Sequence, residues 1–311
     1  MIVYGPVPSR RLGRSIGINN IPIKNCTYSC IYCQVGKTSN KLPYRREFYS
    51  TDKIVKEVEN KLNEMVLKNE KADYLSFVPD GEPTLDINIG KTINSLKSFG
   101  IKIAVITNSS LIWDSEVRND ILNADWVSVK IDSVFWDRWK KINQPEKTLE
   151  LTKILKGIED FNSLFKGELV TETMLVDKIN DDEHSLIETA KFIKSINPYS
   201  AYILVPIRPP FTKIQMPNNF SIERAAEIYR RFISNVKLIN FNEGSNFSSF
   251  TNPVDELLSI LSVHPMRKDA IMEYINNANL SQEEFAELLI NKKIKEVEYN
   301  NLSFYQLFNE V

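Results

Sequence analysis

The chain has 311 residues, of which 42% are hydrophobic and 25% are charged. These fractions are typical of a globular protein with one large domain and a small addition, or with two domains, and they exclude a disordered or fibrous chain. No apolar run approaches the roughly 20 residues that a membrane-spanning helix needs, and the first residues lack the basic and then apolar layout of a signal peptide. The sequence therefore predicts a cytoplasmic protein without a membrane partner.

Charge is distributed unevenly along the chain, although the net charge is only −1. Residues 1–56 contain ten basic and two acidic side chains, a net charge of +8, whereas residues 253–311 contain five basic and ten acidic ones, a net charge of −5. We therefore expect the amino-terminal segment to attract an anionic partner and the carboxy-terminal segment to repel one.

Short runs rich in Val, Ile, Leu and aromatic residues alternate with amphipathic segments along most of the chain. The runs predict strands at residues 14–23, 74–79, 101–108, 126–132, 169–176 and 202–207. The amphipathic segments predict one helix from Ser50 or Thr51 through Met65 and others at residues 87–99, 116–122, 148–161, 185–196 and 221–234. This alternation indicates a largely parallel sheet covered by helices, and six such units fit a partial barrel better than a full barrel of eight.

A polar stretch at residues 242–252 is typical of a linker. It predicts two domains, residues 1–245 and residues 246–311. In the second, helices are expected at residues 253–261, 267–276 and 281–290, and Ser281 and Glu284 form a capping box for the last of them. Asn300-Asn301, between two short alternating segments, is a hairpin signal. Three helices and a hairpin predict a small winged-helix-like domain.

The three cysteines, Cys26, Cys30 and Cys33, fall within eight residues directly after the first predicted strand. Their odd number and the lack of a secretion signal make a disulfide framework a poorer explanation than a metal or catalytic site. Thiolates suit zinc or an iron–sulfur cluster. A closed zinc site would be incomplete, because the two histidines, His184 and His264, lie far away in the sequence. A four-iron cluster with one iron open to a small molecule fits three ligands.

The turns after the predicted strands are expected to form the rest of the site, because ligands of parallel α/β sheets bind at the carboxyl ends of the strands. These turns are rich in polar residues, glycine and proline, and they contain Asp80-Gly81-Glu82-Pro83, Thr107-Asn108-Ser109, Lys130-Ile131-Asp132 and Arg208-Pro209-Pro210.

The spacing Cys-x3-Cys-x2-Cys, with Tyr32 immediately before the last cysteine, resembles the cluster motif of the radical S-adenosylmethionine (radical SAM) superfamily. In that superfamily the open iron of a [4Fe–4S] cluster binds the amino and carboxylate groups of S-adenosylmethionine, and the reduced cluster cleaves it to methionine and a 5′-deoxyadenosyl radical. The resemblance implies that Cys26, Cys30 and Cys33 are the metal ligands. It covers residues 14–210 and implies a partial (β/α)6 barrel of the TIM type.

The other turns resemble the superfamily in the same order. Gly81-Glu82-Pro83 resembles the motif that binds the methionyl amino group, although Asp80 replaces the usual first glycine. We therefore expect this turn to approach the cofactor so closely that a side chain at position 81 would collide with it. Thr107-Asn108-Ser109 resembles the turn near the methionyl carboxylate and ribose, and Lys130 and Asp132 fall where polar ligands to the same cofactor are often found. With Tyr32, these residues are the implied cofactor contacts. Glu82 would act through its side chain or its backbone carbonyl, and the sequence leaves both open.

Within the superfamily, residues 4–13 resemble a group of iron–sulfur oxidoreductases of unassigned substrate that is related to wyosine synthases. Wyosine synthases carry further cysteines for a second cluster, and this chain has none. The resemblance implies hydrogen abstraction from an unidentified peptide, protein or small molecule. A tRNA-modifying enzyme related to wyosine synthase is an alternative, and a non-catalytic iron–sulfur protein for electron transfer or binding is an alternative of another class.

Three arginines are candidate substrate contacts. Arg10 and Arg11 lie in a turn-rich segment between Pro8 and Gly13, where they either grip a carboxylate or phosphate or form a solvated arm. Arg208 follows the last predicted strand, at the end of the sheet where a substrate would be held.

The basic segment around the cysteines suggests a partner of its own. It suits an acidic electron donor such as ferredoxin or flavodoxin, and RNA is the alternative. The third helix of the predicted winged-helix-like domain carries Glu283, Glu284 and Glu287, which would repel phosphates. The domain is therefore interpreted as a structural cap or as a module that recognises a peptide or protein substrate. Because every proposed ligand precedes residue 211, we expect cluster assembly without residues 253–311.

Overall fold

The structure, a computed structural model, describes residues 1–308 except residues 39, 79, 242–243, 246 and 248–251. Its main sheet has eight strands in the order of the chain. The first is antiparallel to the second, and all later neighbours are parallel. The strands are β1 (Val3–Ser9), β2 (Gly13–Ile18), β3 (Tyr74–Phe77), β4 (Lys102–Thr107), β5 (Trp126–Lys130), β6 (Glu168–Met174), β7 (Ser200–Leu204) and β8 (Val236–Ile239).

The six predicted strands are confirmed as β2 to β7, and the mostly parallel sheet confirms the predicted fold class. The sequence did not reveal β1, because Gly5, Pro6 and Pro8 are typical strand breakers and the register with β2 shifts between Tyr4 and Val7. It also did not reveal β8, which is only four residues long and is half-exposed over most of its length. The first predicted strand ends at Ile18 rather than at residue 23.

Helices alternate with the parallel strands as predicted. They are α1 (Thr51–Leu67), α2 (Ile89–Leu96), α3 (Ser115–Ile121), α4 (Trp136–Asn143), α5 (Leu151–Leu164), α6 (Glu183–Ile196) and α7 (Asn219–Arg230). The predicted start of the first helix is confirmed, since the Ser50 side chain accepts a hydrogen bond from the Lys53 amide. The sequence analysis missed α4, which spans only two turns and has a largely polar composition.

The turn between β1 and β2 closes the amino end of the barrel. Leu12, in this turn, packs in a buried cluster with Trp126, Val170, Tyr202 and Ile239, which lie on four different strands. A second, larger apolar layer fills the space between the sheet and its helices. The carboxyl ends of the strands therefore remain for the site.

The chain continues after β8 with three helices and a small sheet: α8 (Pro253–Val263), β9 (Met266–Arg267), α9 (Lys268–Ala278), α10 (Gln282–Ile290), β10 (Ile294–Tyr299) and β11 (Leu302–Leu307). The predicted helices and hairpin are confirmed, as is the capping box of Ser281 and Glu284. Asn300 and Asn301 have the positive φ angles of a two-residue hairpin turn. The division at residues 245 and 246 stays a prediction, because most of residues 242–252 lie outside the described residues, as does Pro79 at the end of the second predicted strand.

Residues 253–308, which we call the carboxy-terminal module, pack directly against the barrel. Tyr4 of β1 belongs to the buried core of the module. The Lys61 ammonium of α1 lies 2.8 Å from the Glu256 carboxylate of α8, and both side chains are almost completely buried. Gln34, next to Cys33, donates a hydrogen bond of 2.6 Å to the carbonyl of Val263. Within the described residues, no helix combines the length and the apolar character needed to cross a membrane.

Candidate active site

The cysteine loop, residues 19–50, joins β2 to α1 at the carboxyl edge of the sheet. Its backbone is bonded to two other elements. The amides of Ser29 and Ile31 donate to the carbonyls of Asn143 and Ile142 at the end of α4, over 3.0 and 2.9 Å. The Lys24 amide donates to the backbone carbonyl of Asp80, in the turn after β3, over 2.9 Å. The loop is therefore positioned by the barrel although it contains little regular structure.

Amide donors point at two of the cysteine sulfurs. Cys26 Sγ accepts from the Tyr28 amide and from Asn108 Nδ2, each over 3.4 Å. Cys30 Sγ accepts from Asn143 Nδ2 over 3.5 Å. Burial raises the pKa of Cys26 to about 12 and lifts the pKa of Cys30 well above its ordinary value. The free thiols of Cys26 and Cys30 are thus protonated at neutral pH, and a bound metal must displace these two protons.

Gly81 lies against the cysteine loop. A Cβ atom built on Gly81 would stand 1.8 Å from the Asn25 carbonyl oxygen, where even 3.0 Å is too close. The neighbouring Glu82 amide donates to the same carbonyl over 3.0 Å. The close approach of Gly81 to the cofactor stays a prediction, whereas its close approach to the backbone of the cysteine loop is observed.

Glu82 links the turns after β3 and β4. Its buried carboxylate accepts four hydrogen bonds, two from Thr84 (3.1 Å from the amide and 2.6 Å from the hydroxyl), one from the Thr107 hydroxyl (2.6 Å) and one from the Asn108 amide (2.7 Å). These donors occupy the side chain, and the backbone carbonyl of Glu82 accepts one hydrogen bond, from the Leu85 amide over 3.2 Å. Pro83 begins the short 3-10 turn that follows.

The turn after β4 reaches both the cysteine loop and β5. Asn108 Nδ2 contacts Thr27 Oγ1 (3.0 Å) as well as Cys26 Sγ. Ser109 adopts a left-handed backbone conformation with φ of 68°. Its buried hydroxyl accepts a hydrogen bond of 2.8 Å from the Lys130 amide. The predicted residues Thr107, Asn108, Ser109 and Lys130 are therefore brought together.

Asp132 connects the cysteine loop with the ends of α4 and β6. Its carboxylate accepts from the Tyr32 hydroxyl, from Asn143 Nδ2 (2.7 Å) and from the Met174 amide (2.8 Å). The sequence analysis missed Asn143, which bonds both Asp132 and Cys30 Sγ. Only a prediction of α4 could have found it, because nothing in the sequence around Asn143 signals a site.

A buried ion-pair cluster lies in the interior of the barrel beneath these turns. Arg11 Nη1 stands 2.8 Å from Glu172 Oε1, and Lys130 Nζ stands 3.4 Å from Glu172 Oε2. Burial alone would raise the pKa of Glu172, but the two cations lower it to about 2. Arg11 is thus part of the barrel interior and not a solvated arm. Arg10, its half-exposed neighbour, also has an interaction partner among the described residues.

Arg208, in the segment after β7, lies beside the cysteine loop. Its Nη1 donates to Gln34 Oε1 over 3.1 Å, and the nearby Phe211 amide donates to the Cys33 carbonyl over 2.9 Å. The rings of His184 and His264 pack against those of Phe135 and Phe247, respectively. Among the described residues, no three His, Cys, Asp or Glu side chains are placed to hold a single metal ion.

Comparison with known proteins agrees with this geometry. The model of the radical SAM superfamily matches residues 20–192. A UPF0026 protein of Methanocaldococcus jannaschii is 49% identical over 98% of this chain and 95% of its own length. A UPF0026 protein of Helicobacter pylori is 27% identical over 99% of this chain and 98% of its own length.

Two solved structures share the fold at low sequence identity. A structure of TYW1 with a lysine–pyruvate adduct bound has a TM-score of 0.56, with 18% identity over 74% of this chain and 76% of that one. A radical SAM methyltransferase from Sphaerobacter thermophilus has a TM-score of 0.57, with 13% identity over 73% of this chain and 66% of that one.

The chain belongs to the radical SAM superfamily, whose members are enzymes that use a [4Fe–4S] cluster and S-adenosylmethionine. Two relatives that match nearly its whole length are UPF0026 proteins. The residues present fit the cluster. Three thiols share one loop, and amides point at two of the sulfurs. Superfamily members generally need a reductant such as flavodoxin or ferredoxin.

Proposed function

We propose that this chain is a cytoplasmic enzyme that abstracts a hydrogen atom from an unidentified peptide, protein or small-molecule substrate. When bound, the cluster and S-adenosylmethionine would supply a 5′-deoxyadenosyl radical, which takes the hydrogen atom and leaves a substrate radical. The observation that carries the proposal is the set of contacts between the cysteine loop and the turns after β3 and β4. Gly81 and Asn108 contact the loop, and Glu82 accepts a hydrogen bond from Asn108.

The proposal gives each group of residues a task. Cys26, Cys30 and Cys33 hold the cluster, and Asn108 and Asn143 direct amide hydrogens at its thiolates. Hydrogen bonds of this kind stabilise negative charge on sulfur and tune the reduction potential of a cluster. The residues that would hold S-adenosylmethionine are Tyr32, Gly81, Glu82, Pro83, Thr107, Asn108, Ser109, Lys130 and Asp132.

The barrel itself would orient the reactants and exclude water. Leu12 and its neighbours close the amino end, so a substrate enters from the carboxyl ends of the strands. Glu172 holds Arg11 and Lys130 in fixed positions inside the barrel. We propose that Arg10, Arg11 and Arg208 contact an anionic part of the substrate.

Single replacements of the cysteines test this function. Cys26→Ala, Cys30→Ala and Cys33→Ala should each abolish the absorbance near roughly 400 nm of the anaerobically reconstituted protein, because no other cysteine exists to replace the lost ligand. Release of 5′-deoxyadenosine with dithionite should fall by at least about 100-fold. Tyr44→Ala, at an exposed position in the same loop, is the matched control and should leave both unchanged.

Two outcomes would contradict the proposal. If a cysteine variant still cleaved S-adenosylmethionine fully, the assignment of the three cysteines as cluster ligands would be wrong. A wild-type protein that assembles the cluster but never releases 5′-deoxyadenosine would be an iron–sulfur protein for electron transfer or binding.

A further inference from the structure

A cleft separates the cysteine loop from the carboxy-terminal module. Its volume is about 1000 Å³, at the upper end of the range for ligand sites. One wall consists of residues 34–37, directly after Cys33, and a second consists of residues 209–215 after β7. The third wall is formed by β10 and the ends of β11 and α8. An occupant of this cleft would lie beside the proposed cluster.

The third wall runs along a free strand edge. β10 is the outer strand of its sheet and, among the described residues, pairs only with β11. The cleft is lined by Val297, Glu298 and Tyr299 in succession. Because successive side chains of a strand point to opposite faces, residues of both faces of β10 line the cleft, together with Gln306 and Leu307 at the end of β11. The unpaired amides and carbonyls of this edge are a template for a further strand.

The charged residues that line the cleft favour an acidic occupant. Four lysines line the cleft, Lys24, Lys37, Lys213 and Lys295, against one acid, Glu298. Lys37 and Lys213 are exposed and make no ion pair with any residue that the structure describes. Ile23 and Phe211 add exposed apolar surface, with 46% and 43% of each residue accessible. Lysines beside exposed apolar side chains complement a polypeptide that alternates acidic and apolar side chains.

We propose that this cleft binds an acidic, extended polypeptide segment, which adds as a strand to the edge of β10. The concave shape and the strand edge favour an extended segment over the convex face of a folded electron donor. This inference rests on the proposed function, because the bound segment would be part of a polypeptide substrate. Binding itself requires neither cluster reduction nor S-adenosylmethionine, so it can be tested separately.

The test uses the reconstituted full-length protein and defined fluorescein-labelled probes. The probes are a twelve-residue peptide of alternating Glu and Val, its Lys–Val counterpart, and a single-stranded RNA of twenty nucleotides. Fluorescence anisotropy measures binding, and hydrogen exchange of the backbone amides locates it. The variant K37E/K213E reverses two charges of the cleft. The control K71E/K166E reverses two exposed lysines that precede β3 and β6, at the amino end of the barrel.

The Glu–Val peptide should bind, and binding should protect amides of β10. Its affinity should fall at least about tenfold in K37E/K213E and stay unchanged in K71E/K166E. Four results would overturn the inference: no binding of the Glu–Val peptide, equal binding of the Lys–Val peptide, binding that leaves β10 unprotected, or tighter binding of the RNA through Lys37 and Lys213. Each leaves the cleavage assay of the proposed function unaffected, so the two failures are distinguishable.

Discussion

Gly81 has no room for a side chain, because its α-carbon faces the backbone of the cysteine loop. In Gly81→Ala, the new Cβ atom and the Asn25 carbonyl must separate by more than about 1 Å to restore a normal contact. We expect the iron content and the 5′-deoxyadenosine yield to fall together, since the loop that carries the cysteines must move. Colorimetric iron analysis and product assay of the same reconstituted sample measure both.

Gly100→Ala is the control, since nothing lies within 4 Å of a Cβ atom at Gly100. Its positive φ costs about 1 kcal/mol of stability, but the cluster should assemble normally. If Gly81→Ala keeps its full iron content and loses only affinity for S-adenosylmethionine, the glycine serves cofactor approach as the sequence alone suggested.

Asp80, beside this glycine, is a buried carboxylic acid with an unusual pKa. Burial raises the pKa of Asp80 to about 6, and the Ser262 hydroxyl of α8 offsets only part of the effect. Because the folded protein holds this proton more tightly than the unfolded chain, Asp80 should cost stability progressively as the pH rises from about 4 to about 6. Above that window the cost is complete, on the order of 2–3 kcal/mol.

Asp80→Asn removes the titration but keeps the shape of the side chain. The melting temperature of the variant relative to wild type should therefore increase between pH 4 and pH 7, as measured by scanning calorimetry at matched ionic strength. Asp177→Asn, at a half-exposed position in the segment after β6, is the control and should show no such trend. A difference between Asp80→Asn and wild type that does not vary with pH would mean that Asp80 is ionised throughout.

At the level of elements, α4 determines how the cysteine loop is held. Its last two carbonyls accept the amides of Ser29 and Ile31, and Trp139 Nε1 donates to the Tyr28 hydroxyl over 3.0 Å. Trp139 is buried, whereas Trp136 on the same helix is 58% exposed. One helix thus offers two tryptophans in opposite environments.

Trp139→Ala should lower the free energy of unfolding by about 3–5 kcal/mol, because it leaves a cavity under the cysteine loop and an unpaired Tyr28 hydroxyl. Trp136→Ala should lower it by less than about 1 kcal/mol. Denaturant titration of both metal-free variants compares them. Equal losses would show that the packing of α4 on the loop is unimportant.

The two tryptophans also show how far the sequence predicts this protein. Alternating apolar runs are a local signal, so β2 to β7 and their helices could be predicted, and the spacing of the cysteines identified the loop. Local patterns do not say which side of a two-turn helix is buried, so Trp136 and Trp139 looked alike. The roles of Asn143 and of Arg11 depend on partners more than 100 residues away in the chain, such as Cys30 and Glu172. No local pattern contains such pairings.

At the scale of the whole molecule, the barrel and the carboxy-terminal module share one buried interface. The position of the proposed ligands before residue 211 suggested that residues 253–311 are dispensable for cluster assembly. The structure leads to the opposite expectation. Removal of the module would expose Tyr4 and leave the buried Lys61 without Glu256, and it would also remove the carbonyl that Gln34 contacts beside Cys33.

Glu256→Gln tests this interface without truncation. It should destabilise the protein by about 3 kcal/mol, the lower end for a broken buried pair, because Lys61 keeps Glu64 at 3.2 Å. Glu287→Gln, on the exposed face of α10, should change stability by less than about 0.5 kcal/mol. Thermal unfolding of the two variants measures this difference. If both substitutions leave stability unchanged, the module is only loosely attached to the barrel.

The two outer strands of the large sheet bear on how the molecule behaves at high concentration. β1 contains Pro6 and Pro8, which cannot donate backbone hydrogen bonds, and α8 packs beside it. β8, at the opposite edge, is short and carries the exposed Lys237. Sheets with such edges resist pairing with neighbouring chains. The open barrel therefore leaves both of its outer strands poorly suited to self-association and fibre growth, although its sheet never closes on itself.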